Sequence, residues 1–257
     1  MNTYVIGDIH GCFDGLLALM DKASVAPTDQ IVFLGDLIDK GTQNVEVLRW
    51  LSNQNQCKVV LGNHDIYILN QLVNQKNALS CVAQAIANQP DSSRLIEWLL
   101  DQGLILKQAN TLFCHAGIHP LWEDDLIEEI INDPKQWINP TTLATYFKAK
   151  WTKLALTDPL SILAACTEMR FLKRADYTFT NGSEDNTDIT QDKVAWFELA
   201  HRHGYQSIFF GHWARLNTIF NPGATCLDGG FVYGNDFLCY NLDQQVLTTL
   251  HSQEKRL

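Results

Sequence analysis

The chain has 257 residues, 46% hydrophobic and 19% charged, proportions that exclude a collagen, a disulfide-stapled mini-protein and a disordered tail. A chain of this length buries roughly three quarters of its unfolded surface, as one large domain or as a core domain carrying an insertion. Lys and Arg number 19 against 29 Asp and Glu, a formal charge of -10 that repels long polyanions such as DNA, and no apolar run suits a membrane helix.

In chain order, the first apolar run, Tyr4-Val5-Ile6, stops at Gly7-Asp8-Ile9-His10-Gly11, and Phe13 to Ala23 follows with Phe13, Leu16, Leu17 and Met20 at helical spacing. Ile31-Val32-Phe33-Leu34 ends at Gly35-Asp36-Leu37-Ile38-Asp39-Lys40-Gly41, before a helical pattern over Val45 to Leu51. Val59-Val60-Leu61 ends at Gly62-Asn63-His64-Asp65, and Ser93 to Gln102 is again helical. Leu112-Phe113-Cys114 ends at His115, Ile208-Phe209-Phe210 at Gly211-His212, and Thr225-Cys226-Leu227 at Asp228. Short apolar runs of this kind read as buried strands. Their alternation with helices predicts an α/β sandwich whose site lies at the carboxyl edge of the sheet, where every polar cluster falls.

From about residue 120 to 200 the rhythm breaks. The stretch holds four of the seven tryptophans (Trp122, Trp137, Trp151, Trp196), helical-looking segments at Leu143 to Leu156 and Asp192 to Arg202, and a polar run from Thr180 to Asn186. It reads as a mostly helical cap insertion within a single domain spanning 1–257. Seven cysteines, an odd number without a CxxC pair, predict reduced and mostly buried thiols. With no signal-peptide pattern after Met1, the expected compartment is the cytoplasm.

A single Gly7-Asp8-Ile9-His10-Gly11 cluster is compatible with an ordinary hydrogen-bonded turn. Its recurrence is not: five successive strand ends deliver Asp8, His10, Asp36, Asn63, His115 and His212 to one edge. Carboxylate, imidazole and amide oxygen suit Mn²⁺, Fe, Co²⁺ or Zn²⁺, and the lack of paired thiolates argues against a structural zinc site. Six ligands exceed the need of one catalytic ion but serve two ions sharing a bridging carboxylate, for which Asp36, between the first and third strand ends, is the candidate.

GDxHG, GDxxD(R/K)G, GNH(D/E) and the later histidines, all present in order from Gly7 to His212, resemble the calcineurin-like metallophosphoesterases. The resemblance implies a metallophosphoesterase-type β-sandwich flanked by helices. It also implies two divalent ions, Mn²⁺ or Co²⁺ first with Fe²⁺ or Zn²⁺ as alternatives, one held by Asp8, His10 and Asp36, the other by Asp36, Asn63, His115 and His212. His64 would be the general acid, Asp39 its orienting partner, and Lys40 and Arg170 the cations facing the phosphate. Where many family members carry GHxH, Gly211-His212-Trp213-Ala214 has alanine at the last position. This departure favours the branch of Ser/Thr protein phosphatases and bacterial symmetrical diadenosine tetraphosphatases. Within it, the contexts of His115-Ala116-Gly117-Ile118, Phe210-Gly211-His212-Trp213, Met169-Arg170-Phe171 and Leu227-Asp228-Gly229-Gly230 resemble the tetraphosphatases. The implied activity is symmetrical hydrolysis of diadenosine tetraphosphate to two ADP, with capped RNA 5′ ends as a further expected partner and neither DNA nor membrane among them. A phosphoprotein phosphatase and a non-catalytic nucleotide or RNA-end binder are the alternatives.

Other residues carry plainer expectations. Asp65 reads equally as a support for the site or as a helix-initiating acid. His119, His201, His203 and His251 read as surface or satisfied core residues, and Glu123-Asp124-Asp125 with Glu128-Glu129 as a solvated helix face. Alternation turns Cys114 away from His115. Trp213, Phe171 and Tyr233 read as core or as stacking partners for a base, with Trp213 and Tyr233 the candidates for touching adenine.

Overall fold

The computed structural model describes residues 1–75, 79–148, 154–180, 191–214 and 219–252. Three parallel strands, β1 (Thr3–Ile6), β2 (Gln30–Phe33) and β3 (Cys57–Val59), belong to a five-stranded sheet. β12 (Asp236–Asn241) and β13 (Val246–His251) complete it antiparallel, in the order β13-β12-β1-β2-β3. A second sheet has the order β10-β11-β9-β5-β4, with β5 (Thr111–Cys114), β9 (Ser207–Phe210) and β11 (Ala224–Cys226) parallel. Its edges are β4 (Ile105–Gln108) and β10 (Ile219–Asn221), both antiparallel to their neighbours.

Side-chain alternation makes the two sheets one sandwich. Val5, Val32, Phe113, Phe209 and Leu238 meet in one buried layer, where the rings of Phe113 and Phe209 stack 5.9 Å apart. Their strand neighbours Ile6, Phe33, Cys114 and Phe210 face the opposite way, into the helix-side core. Cys114 is therefore turned from His115, as alternation requires. The helices covering that core include α1 (Phe13–Lys22), α2 (Asn44–Leu51), α3 (Asn63–Asn74), α4 (Cys81–Ala87) and α5 (Ser92–Leu100). No helix among the described residues is long and apolar enough to cross a membrane. The seven cysteines are free, four of them buried.

Between β5 and β9 the chain inserts α6 (Asp124–Asn132), α7 (Pro134–Trp137), α8 (Pro140–Tyr146) and α9 (Pro159–Glu168). α8 and α9 both start with proline behind a capping side chain: Asn139 Oδ1 accepts from Thr142 N at 3.0 Å and Asp158 Oδ1 from Leu160 N at 2.9 Å. α9 is apolar on nearly every side, and it is correspondingly buried from Ser161 to Thr167. Beside these helices the insertion carries a small antiparallel sheet of β6 (Phe171–Lys173), β7 (Phe179–Thr180) and β8 (Lys193–Ala195). Two expectations for this region need correction. The segment read as a helix from Asp192 to Arg202 is instead β8 followed by a 3-10 turn over Trp196–Arg202. Pairing of Ala195 with Phe171 and packing of Trp196 on Phe210, centroids 4.9 Å apart, outweigh the local helical pattern. α8 ends at Tyr146, so the pattern to Leu156 is not one helix; Trp151 and residues 181–186 of the polar run lie outside the described residues.

His119 ties the insertion together: it is fully buried, and its Nε2 lies 2.9 Å from the carbonyl oxygen of Tyr177. Burial pushes this imidazole down to about 4. Because the folded pKa lies below the unfolded one, the contribution is complete above pH 6.5 and is lost as pH falls from there toward 4. Between pH 7 and pH 5 the loss is about 2 kcal/mol. Urea unfolding of wild type and His119→Gln at both pH values measures it; the variant's pH slope is expected to be shallower by that amount.

Candidate metal centre

The carboxyl ends of β1, β2, β3, β5 and β9 converge, and their backbone departs from the allowed norm where they do. His10, Asp36, Asp39 and His212 all have positive φ, at 48°, 49°, 114° and 69°. Non-glycine residues take such values at a cost of order 1–3 kcal/mol each, and the surrounding contacts hold them there. Two glycines allow the approach. A Cβ at Gly62 would lie 2.1 Å from Asp36 Oδ1, and one at Gly211 would lie 2.2 Å from Asp8 Oδ1.

Asp36 stands at the centre. Its Oδ2 is 3.5 Å from His10 Nε2, its Oδ1 is 3.5 Å from His115 Nε2, and the same Oδ1 accepts the backbone N–H of His64 at 2.9 Å. Asp8 Oδ2 lies 4.0 Å from His10 Nε2. Asn63 Oδ1 faces His115 Nε2 at 3.2 Å and His212 Nδ1 at 3.1 Å. The outer nitrogens set the tautomers: His115 Nδ1 is 2.7 Å from the carbonyl oxygen of Leu34 and His10 Nδ1 is 3.4 Å from that of Ile38, leaving each Nε2 lone pair turned inward.

The charges of this cluster are unbalanced. Burial, then the negative charges of Asp228 and Asp36, push the Asp8 carboxyl well above the usual carboxylate range. Burial would raise Asp36 too, but His115, His10 and His64 beside it bring it below that range. Burial lowers His10 and His115 and, reinforced by Arg170, holds His212 far down, so these imidazoles are neutral donors. Buried carboxylates in mutual repulsion beside neutral imidazole and amide-oxygen donors fit divalent cations, which relieve the repulsion. Ligand atoms of Asp8, Asp36 and His115 lie within 4.8 Å of one another, as do those of His10, Asp36 and His64.

The other predicted residues border this cluster. His64 Nδ1 is 2.5 Å from Asp39 Oδ2, which fixes the ring and directs its Nε2 away from Asp39. Lys40 stands one step outward, its exposed Nζ 3.3 Å from Asp39 Oδ2. Arg170 lines the cavity with Asp8, His10, Asn63 and His64, and donates from Nη2 to the carbonyl oxygen of His212 at 2.7 Å. Ala214 lines the same cavity. Trp213 and Phe171 are each 1% exposed and pack on one another, so neither can stack on a base, against the expectation for Trp213. Tyr233 remains available, 58% exposed and lining the cavity.

Two acids escaped the sequence reading, and a third, Asp65, fills both of the roles the sequence left open for it. Asp228 is buried beside Asp8 and accepts the N–H of Gly230 at 3.0 Å. Glu168, at the end of α9, is pushed up by burial, against the opposing pull of the Tyr146 hydroxyl and Arg170 beside it. Asp65 is a helix-initiating acid and also a clamp. Its Oδ2 accepts from Gly62 N at 3.0 Å, and its Oδ1 accepts from Leu37 N at 3.0 Å and Ile38 N at 3.3 Å. It thereby joins the loop carrying Asp36 to the loop carrying Asn63 and His64. Its third place after Gly62 was the available signal, since acids there cap helices. Asp65→Ala leaves three buried N–H groups without an acceptor, and a loss of about 2–4 kcal/mol is expected in urea unfolding. Asp65→Asn, which keeps one acceptor, is expected to lose less.

A model of calcineurin-like phosphoesterases matches residues 1–216, most of the chain, a span that includes all six candidate donor residues. The chain belongs to the calcineurin-like phosphoesterases. Membership implies a centre of divalent metal ions, and the cluster above holds candidate donors for it. The phosphoesterase is 33% identical to the symmetrical bis(5′-nucleosyl)-tetraphosphatase of Stutzerimonas stutzeri (strain A1501), over 95% of this chain and 94% of that protein. It is 30% identical to the enzyme of the same name from Klebsiella pneumoniae (strain 342), over 100% and 97%. Among solved structures, one provisionally named a diadenosine tetraphosphatase superposes with a TM-score of 0.69 at 22% identity, over 97% of this chain and 93% of that one. A protein serine/threonine phosphatase from Saccharomyces cerevisiae gives 0.58 at 16%, over 98% and 80%. At these identities the structural likenesses show the fold.

Proposed function

We propose that this phosphoesterase hydrolyses diadenosine tetraphosphate symmetrically, adding water across the central anhydride to give two ADP. The observation that carries the substrate is the likeness, over nearly the whole of both chains, to relatives named for that reaction. Asp8, His10 and Asp36 would hold one ion, and Asp36, Asn63, His115 and His212 a second, with Mn²⁺ or Co²⁺ suiting this oxygen and nitrogen set. Two bound divalent ions supply Lewis acidity at the phosphoryl oxygens and a lowered pKa for water. His64 gives its Nε2 proton to the departing ADP oxygen, and Asp39 keeps the ring aligned through Nδ1. Arg170 holds equatorial phosphoryl oxygens from the cavity wall, and Lys40 adds a more distant positive charge.

The test is product analysis with diadenosine tetraphosphate and Mn²⁺ or Co²⁺. ADP alone is expected. AMP plus ATP, no turnover, or faster release of phosphate from a phosphoserine peptide overturns the reading. Capped RNA 5′ ends carry the same kind of polyphosphate bridge, and release of a nucleoside diphosphate from such an end is the matching assay.

A further inference from the structure

Exposed aromatic rings border the cluster at two places. Tyr233 lies beside His10, ring centroids 6.3 Å apart, and His10 lies 4.9 Å from the ring of His64. Three residues beyond His64 on α3 comes Tyr67, on the same helix face, and Tyr67 meets Phe147 edge to face at 6.0 Å. Tyr233, His10 and His64 thus follow one another by ring contact, and Tyr67 with Phe147 continues from His64 along α3, with the exposed aromatics at the ends. Tyr233 is 58% exposed, Tyr67 44% and Phe147 41%.

A single exposed aromatic needs no explanation. The mounting of Tyr233 does. It ends a 3-10 turn over Phe231–Tyr233, bounded by Gly230 and Gly234 with φ of 71° and 93°. Phe231 is driven into the core against Phe237, centroids 4.9 Å apart, while Asp228 accepts the N–H of Gly230. The turn is anchored from below, and its one outward ring stands over the cavity. Beyond His64, the edge-to-face contact between Tyr67 and Phe147 restricts both rings without covering them.

We infer that Tyr233 on one side, and Tyr67 with Phe147 on the other, are stacking platforms for the two nucleobases of a dinucleoside polyphosphate. The inference rests on the phosphohydrolase reading above and extends it. Cleavage into two equal halves requires the phosphate chain to be centred, and a platform at each end centres it. Stacking serves every base because each has a π face, so the substrate class is dinucleoside polyphosphates with little discrimination between adenine and guanine.

Tyr233→Ala and the double variant Tyr67→Ala with Phe147→Ala, in the full-length metal-loaded enzyme, test it. The readout is KM for diadenosine tetraphosphate divided by the competitive inhibition constant of inorganic tetraphosphate, which has the phosphates without the bases. Stacking losses raise this quotient roughly 5- to 100-fold in each variant. Tyr233→Trp is expected to keep it near the wild-type value. An unchanged quotient in either alanine variant overturns the two-sided assignment, as does a rise that tryptophan fails to prevent, which marks a packing role. A wild-type enzyme that does not turn over the dinucleotide fails the functional reading instead, before any variant is made.

Discussion

His64→Asn is expected to lower kcat by about 10²- to 10⁴-fold, the usual contribution of a positioned general acid, while fold and metal content are kept. The substitution is mild structurally. The backbone N–H of His64 still reaches Asp36 Oδ1, and α3 still starts at Asn63. What disappears is the proton on the inward ring nitrogen, whose direction is set by the 2.5 Å contact between Nδ1 and Asp39. Asp39→Asn therefore lowers kcat less, because the ring remains and only its alignment suffers. A series of phosphate esters separates general acid catalysis from simple damage: the loss grows with the basicity of the leaving oxygen. Unchanged kcat in His64→Asn would remove His64 from the reaction.

The second large effect concerns Asp36. Its two carboxylate oxygens face different histidines, His10 and His115, each at 3.5 Å. Asparagine fills the same volume but offers one oxygen and turns an NH₂ toward one of the donor groups. Metal content by mass spectrometry is expected to fall from two ions per chain to one or fewer, and kcat by about 10³-fold or more, given the several kcal/mol that metal ions contribute to phosphoryl transfer. Two ions retained with near-normal kcat would overturn the bridging role. Thermal unfolding of the metal-free variant gives a readout independent of activity. Because the histidines and the His64 N–H hold the Asp36 carboxyl below the usual range, the metal-free variant is expected to be less stable than metal-free wild type.

The sandwich was legible because β-branched runs and helical periodicity are local signals. Tyr4-Val5-Ile6 and Ile31-Val32-Phe33-Leu34 announce strands wherever they occur, and the polar cluster after each marks its carboxyl end. The convergence of the candidate donors could be read for the same reason: Asp8, His10, Asp36, Asn63, His115 and His212 each lie within a few residues of a strand's carboxyl end. Where the signal was not local, the reading failed. Residues 192–202 have helical spacing, yet β6 pairs with β8 and Phe210 receives Trp196, interactions that span long stretches of chain.

The sequence by itself determined which chemical groups reach the strand ends, because strand direction and side-chain alternation are short-range consequences of the backbone. Only the tertiary structure decided what those groups touch. The contact of Asp39 with His64, the burial of Asp228 beside Asp8 and the clamp of Asp65 on Leu37 and Ile38 each join distant segments. The same is true of the aromatic residues: Trp213 and Tyr233 are equally plausible base partners as letters. One is sealed under Arg170 and Phe171, while the other is held outward by two left-handed glycines. Exposure depends on how the whole chain packs, and periodicity within a segment does not encode it.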